Sequence, residues 1–207
     1  MHARLTRSQL FSSGARGGAV LALAGSGLGA LAGSAEAAPP IGATGALAGD
    51  LAYTRLLTVV ELLLVDFWTE AIASKHLGGK ALASANLVLI NEGEHYAYLA
   101  GVLMEVGLVP LTVADVNFTY ATGAFYTTAS VTRLAVTLEA LALGAYLGAA
   151  GNVVNPVLQQ AVAQITANEA QHLSAVSRGA GQPAFHDAFP AAMTISEASD
   201  ALDTYTS

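Results

Sequence analysis

Glu61, Glu92, His95, Glu139, Glu169 and His172 are the residues whose types and spacing suit chemistry. Two stretches have the form Glu-x-x-His: Glu92-Gly93-Glu94-His95 and Glu169-Ala170-Gln171-His172. On a helix, positions three apart share a face, so each pair can grip one ion with a carboxylate oxygen and an imidazole nitrogen. Glu61 is flanked at helical spacing by Leu57, Leu64, Val65 and Trp68, and Glu139 by Ala135, Val136, Ala142, Leu143 and Tyr146. Glu92 stands among Val88, Leu89, Tyr96 and Leu99, and Glu169 among Ile165, Leu173 and Val176. A carboxylate on a core-facing stripe is expensive unless it is paired or bound to metal.

The spacing draws these residues into one constellation. Glu61 to Glu92 is 31 positions and Glu139 to Glu169 is 30, while Glu61 to Glu139 is 78 and both Glu92 to Glu169 and His95 to His172 are 77. Each glutamate lies about three turns into its segment, so in a folded bundle all of them reach one level near the middle. Two divalent cations would neutralise the four carboxylates. Taken singly, the same residues read as surface charges and core histidines. Taken together, buried and unpaired, they would be too costly for that reading.

Four long apolar segments with helical periodicity position these side chains. The first runs from about Asp50, in the place of an N-cap, to Leu77, where Gly78-Gly79 stops it. The second runs from about Lys80 to Val106, before Gly107 and Pro110, and the third from about Thr127 to Ala150, before Gly151. The fourth opens with Asn155-Pro156, a cap followed by proline at the first helical position, and ends at Arg178-Gly179. No segment alternates with period two, and richness in Ala and Leu favours helix. The first and third connections are a few residues long and predict antiparallel neighbours. The middle one, Leu108 to about Tyr126, is long enough to cross a bundle. The expected fold is all-α: a four-helix bundle over 50–179, made of two antiparallel hairpins joined by a long crossover. Residues 38–49 read as a Pro/Gly linker and 180–207 as a tail. In that tail Thr194-Ile195-Ser196-Glu197 has the form of a capping box, opening a short helix to about Tyr205 on the bundle exterior.

The 207 residues are 54% hydrophobic and 11% charged, with a mean hydropathy of +0.53, so membrane spans must be weighed. The third segment is the best candidate, yet Glu139 at its middle would cost on the order of 3 kcal/mol in a span. Part of the apolar excess belongs to residues 1–37. Arg4, Arg7 and Arg16 precede and flank a Gly/Ala/Leu stretch from Gly18 to Gly33, and Ala35-Glu36-Ala37 gives a small-residue cleavage signal before Pro39-Pro40. The expectation is an export signal peptide and a periplasmic, cell-envelope or extracellular protein; an uncleaved amphipathic anchor is the alternative. Thr6-Arg7-Ser8-Gln9-Leu10-Phe11 has a twin-arginine-like form without the second Arg, which leaves the route open. The formal charge of −7 argues against nucleic acid or anionic membrane as a partner. With no cysteine there is no disulfide framework, zinc ribbon or thiol nucleophile.

The pattern E-x30-E-x-x-H followed by E-x29-E-x-x-H resembles the ferritin-like di-iron or di-manganese carboxylate superfamily. The resemblance covers about residues 48–205. With the exported start and the Phe-Pro…Thr…Glu tail, it looks most like the secreted ferritin-like and desiccation-related proteins. It implies two iron or two manganese ions as cofactors. Glu61 and Glu139 would be terminal ligands, Glu92 and Glu169 bridging ones, and His95 and His172 imidazole ligands. It further implies redox chemistry on O2 or peroxide, or oxidation of Fe(II), of ferroxidase, peroxidase or catalase type. With no rubredoxin-like Cys pairs, a rubrerythrin-type electron path would need an outside donor. The rival readings are a non-enzymatic metal-binding or storage protein, and a stress protein with the metal as a structural staple. Charge-poor helix faces allow a homo-oligomer.

Other residues receive plainer readings. Glu94 sits about 200° round the helix from Glu92 and should face solvent, and Asp66 and Glu70 read as solvated charges. Trp68, Tyr96, Tyr98 and Tyr146 lie within a turn or two of the candidate ligands, as core aromatics, hydrogen-bonding neighbours or electron relays. His76, at a helix end, and His186, in the tail, read as surface residues.

Overall fold

The computed structural model describes residues 48–185 and 187–207. The signal segment 1–37, nearly all of the linker and His186 lie outside the described residues. The chain forms α1 (Ala48–Ala73), α2 (Gly79–Glu105), α3 (Thr128–Asn152), α4 (Pro156–Gly179) and α5 (Ile195–Asp203). The fold is thus all-helical among the described residues, a four-helix bundle with a short C-terminal helix. α1–α2 and α3–α4 pack as hairpins, α1 lies against α3, and α2 touches α4 more sparsely.

Local chemistry sets most boundaries. Thr127 caps α3 through a capping box with Ser130, Asn155 accepts from Val157 and Leu158 to start α4 at Pro156, and Thr194 with Glu197 does the same for α5. Two expectations at α1 need correcting. Asp50 is not its N-cap: the helix begins at Ala48, and Asp50 is buried with its carboxylate accepting from Val154 N and Asn155 N, each at 2.9 Å. It therefore ties the start of α1 to the α3–α4 turn. α1 also ends at Ala73 rather than Leu77, because Lys75 takes a left-handed φ of 62° and turns the chain before the glycines. Likewise α3 runs two residues past Ala150, to Asn152, and α5 stops at Asp203.

α1 is apolar nearly all round and is the most enclosed helix, with Leu56, Leu57, Val59, Val60, Leu62, Leu63 and Leu64 all buried. α3 is by length and composition apolar enough to cross a membrane, but most of it is buried inside the bundle. The tail lies on the bundle exterior, as expected, with α5 against α1 and α3 and with Ala198 and Leu202 buried. Gly148 makes this docking possible, since a Cβ there would fall 1.9 Å from the Met193 carbonyl oxygen. One turn earlier, the Gly144 carbonyl accepts from Met193 N at 2.8 Å. The C-terminus then pairs with the crossover: Thr119 N donates to Tyr205 O at 2.7 Å and Ser207 N to Asn117 O at 3.2 Å.

Candidate metal centre

The bundle brings all six sequence-selected residues to one point at its centre. Glu61 comes from α1, Glu92 and His95 from α2, Glu139 from α3, and Glu169 and His172 from α4. The four glutamates are 0% exposed, His172 is buried, and the His95 side chain keeps 12% exposure. His95 Nδ1 lies 3.1 Å from Glu169 Oε1, 3.2 Å from Glu92 Oε2 and 3.7 Å from Glu61 Oε2. His172 Nδ1 lies 2.9 Å from Glu92 Oε1, 3.6 Å from Glu139 Oε2 and 3.7 Å from Glu169 Oε2. The residues fall into two quartets, Glu61/Glu92/His95/Glu169 and Glu92/Glu139/Glu169/His172, each offering ligand atoms within 4.8 Å of one another. Glu92 and Glu169 belong to both.

Two aromatic donors support the outer carboxylates in a reciprocal pattern. Trp68, seven positions past Glu61 on α1, donates its indole N–H to Glu139 Oε1 on α3 at 2.9 Å. Tyr146, seven positions past Glu139 on α3, donates its hydroxyl to Glu61 Oε1 on α1. Two helical turns thus carry each donor to the level of the opposite helix's glutamate. Both belong to the four aromatics that neighbour the candidate ligands along the chain. Of the others, Tyr96 donates to the Leu111 carbonyl in the crossover, and Tyr98 packs half-buried at the edge of the core.

One neighbour escaped the sequence reading. Asn91 Nδ2 lies 3.0 Å from His172 Nε2; an amide nitrogen only donates, so a ring protonated at Nε2 takes the Asn91 amide oxygen in its place. The signal was present: Asn precedes the glutamate in both motifs, at Asn91 and at Asn168. Among the remaining acids, Glu94 and Glu70 are exposed, as expected, and so is His76. Asp66 is not a freely solvated charge; it is half-buried and accepts from the Tyr120 hydroxyl at 2.7 Å.

The electrostatics show how much negative charge is confined here. Burial, reinforced by the charge of Glu92 and opposed by His95, pushes Glu61 from 4.5 up to about 8. Burial also holds Glu139 well above the carboxylate range, against the pull of the neighbouring His172. Burial works to lower both histidines, but the carboxylates around them win. Glu169, Glu61 and Glu92 push His95 up to about 12, and Glu139, Glu169 and Glu92 do the same to His172. Without cations the site therefore gathers protons to offset its carboxylates.

A donor set of buried carboxylates and imidazoles meeting at hydrogen-bond range suits metal ions. The ferritin-like domain family matches residues 49–182 of this sequence. The chain belongs to the ferritin-like family. Comparison with curated proteins gives no match. The ferritin-like match takes in α1 through α4 and stops short of α5, so the tail strapped over Gly148 is an addition outside the matched domain. Within this ferritin-like domain, Glu61 Oε2, Glu139 Oε2 and Glu169 Oε2 are buried without a hydrogen-bond partner among the described residues, while Glu92 Oε1, Glu169 Oε1 and His172 Nδ1 have only the close carboxylate–imidazole contacts given above, none of them aligned as a hydrogen bond. Each orphaned buried polar atom costs about 1–3 kcal/mol. A metal ion at the same place would satisfy them. The residues fit the group the fold implies.

Proposed function

We propose that the protein is an exported di-metal carboxylate protein whose ions, two iron or two manganese, do redox chemistry on O2 or peroxide or oxidise Fe(II). The observation that carries this reading is the cluster of orphaned polar atoms in two quartets sharing Glu92 and Glu169. In this reading Glu61 with His95 would hold one ion and Glu139 with His172 the other, with Glu92 and Glu169 available to both. When bound, the ions would supply one-electron redox chemistry and open positions for oxygen species.

The remaining roles belong to the chain. Trp68 and Tyr146 hold Glu139 and Glu61 in place through their hydrogen bonds. Asn91 orients the His172 ring so that Nδ1 faces the carboxylates. The apolar walls of α1 and α3 keep bulk water from the buried carboxylates, and His95, with 12% of its side chain exposed, is the member of the site nearest to solvent. Export rests on Arg4, Arg7 and Arg16, the apolar stretch and Ala35-Glu36-Ala37.

The test is elemental analysis of protein purified with its native metal, alongside peroxide- and oxygen-consumption assays. Wild type should carry iron or manganese and turn over one of the two oxidants. A Glu92→Ala/Glu169→Ala double variant that binds as much metal as wild type would sink the assignment. Bound metal with no turnover of either oxidant would favour the structural or storage readings.

A further inference from the structure

We infer that Trp68, Phe67, Tyr120 and Tyr205 form an aromatic relay passing single electrons from the protein surface to the carboxylate–histidine site. The inner end is fixed by the hydrogen bond from Trp68 Nε1 to Glu139 at 2.9 Å. From there the ring centroids step 4.9 Å to Phe67, 6.2 Å to Tyr120 and 6.1 Å to Tyr205. Phe125 closes the flank, 5.9 Å from Phe67 and 5.1 Å from Tyr120. Every step lies within ordinary aromatic contact. Phe67 and Trp68 are buried, while Tyr120 and Tyr205 are half-buried.

Packing alone would account for touching rings. It does not account for the polar partners at both stations able to hold an oxidising equivalent. Trp68 donates its N–H to Glu139 Oε1, an acceptor that steadies the positive charge of an oxidised indole, and Tyr120 donates to Asp66 Oδ2 at 2.7 Å. A phenol must lose its proton as it loses an electron, and Asp66 stands ready to take it. Burial, then Asp66, keeps Tyr120 protonated until that moment. Phe67 is too hard to oxidise to store charge and serves as the packed bridge between the two. The outer ring, Tyr205, lies beyond the matched domain and is held to the crossover by Thr119 N to Tyr205 O at 2.7 Å.

The steps balance. Trp68 would give one electron to a one-electron oxidant at the site, of the kind a bound redox metal with peroxide would supply, and would become the indole radical cation. Tyr120 then returns an electron to Trp68 while its phenolic proton moves to Asp66, leaving a neutral tyrosyl radical and a protonated Asp66. Tyr205 re-reduces Tyr120, which recovers its proton from Asp66, and the Tyr205 proton leaves to water. A diffusible one-electron reductant of the phenol or enediol class restores Tyr205 with a proton from water.

The relay rests on the redox reading above, but its test needs no metal. Trp68 is the one tryptophan of the chain, so flash photo-oxidation of the full-length metal-free protein starts the sequence at a known residue. Transient absorption and freeze-quench electron paramagnetic resonance should show a tyrosyl signal rising as the indole radical decays. That decay should slow in heavy water. Tyr120→Phe should abolish the rise and lengthen the indole lifetime about tenfold, equivalent to about 1.4 kcal/mol on the transfer barrier. Asp66→Asn should lengthen it too, and Tyr205→Phe should leave a tyrosyl radical that added ascorbate quenches slowly. An indole lifetime unchanged by Tyr120→Phe in folded protein would overturn the relay. So would wild-type decay with no tyrosyl signal or no effect of heavy water, and this needs no variant to fold. A working relay in a protein that turns over neither oxidant would instead count against the redox reading alone.

Discussion

His172 Nδ1 lies 2.9 Å from Glu92 Oε1, so the imidazole of the second Glu-x-x-His motif meets the carboxylate of the first. The motifs are not two separate grips. Each histidine points into a quartet that contains both Glu92 and Glu169, and only Glu61 and Glu139 are private to one quartet.

That sharing predicts unequal losses. Wild type should hold about two divalent ions per chain. Glu61→Gln should retain about one, whereas Glu92→Gln should retain little of either, because it removes an oxygen from both quartets. Glu94→Gln, on the exposed face, should change nothing. Metal content per chain by elemental analysis decides this; equal retention by the Glu61 and Glu92 variants would refute the sharing.

Asn91 reaches the site through His172. Asn91→Ala should weaken metal binding about 10- to 100-fold while leaving the thermal midpoint of the metal-free protein nearly unchanged. Competition with a chelating dye of known affinity measures the first and thermal unfolding the second. Unchanged affinity would show that the contact does not hold the ring.

The confined charge sets a pH dependence. Glu61 titrates at 4.5 when unfolded and about 8 when folded, so the stability tied to its proton is full below 4.5 and lost as pH rises through 8. His95 and His172, raised from 6.5 to about 12, contribute stability present below 6.5 and lost toward 12. The metal-free protein should therefore lose stability between about pH 5 and about pH 8. Metal replaces those protons, so its stabilising effect should grow over the same window and its uptake should release protons. Unfolding curves with and without metal at several pH values, and the buffer dependence of binding heat, check both signs. A metal effect that shrinks with rising pH would contradict the account.

The docked tail gives a stability test away from the site. At Gly148 a methyl group meets the Met193 carbonyl, a backbone atom that cannot swing aside, so Gly148→Ala should cost about 1–3 kcal/mol. At Gly151 nothing lies within 4 Å, and Gly151→Ala should stabilise by up to about 1 kcal/mol. Denaturant unfolding separates the two, and equal effects would show that the tail does not dock as described.

Much of this protein was determined by its sequence alone. Helical periodicity, caps and glycines act over three or four residues, so the four long helices, the capped start of α5 and the level shared by the four glutamates were all readable along the chain. Partners across helices were not. Trp68 on Glu139, Tyr146 on Glu61 and Asn91 on His172 depend on how neighbouring helices are rotated and slid against one another. No local spacing encodes that. The same holds for Asp50, which looks like a cap by position but spends its carboxylate on a turn 104 and 105 residues away. Asp66 looks solvated until the crossover lays Tyr120 over it. Sequence placed the carboxylates on apolar faces. Only the packed bundle decided which oxygen meets which nitrogen, because burial leaves each polar atom to find its partner across the core.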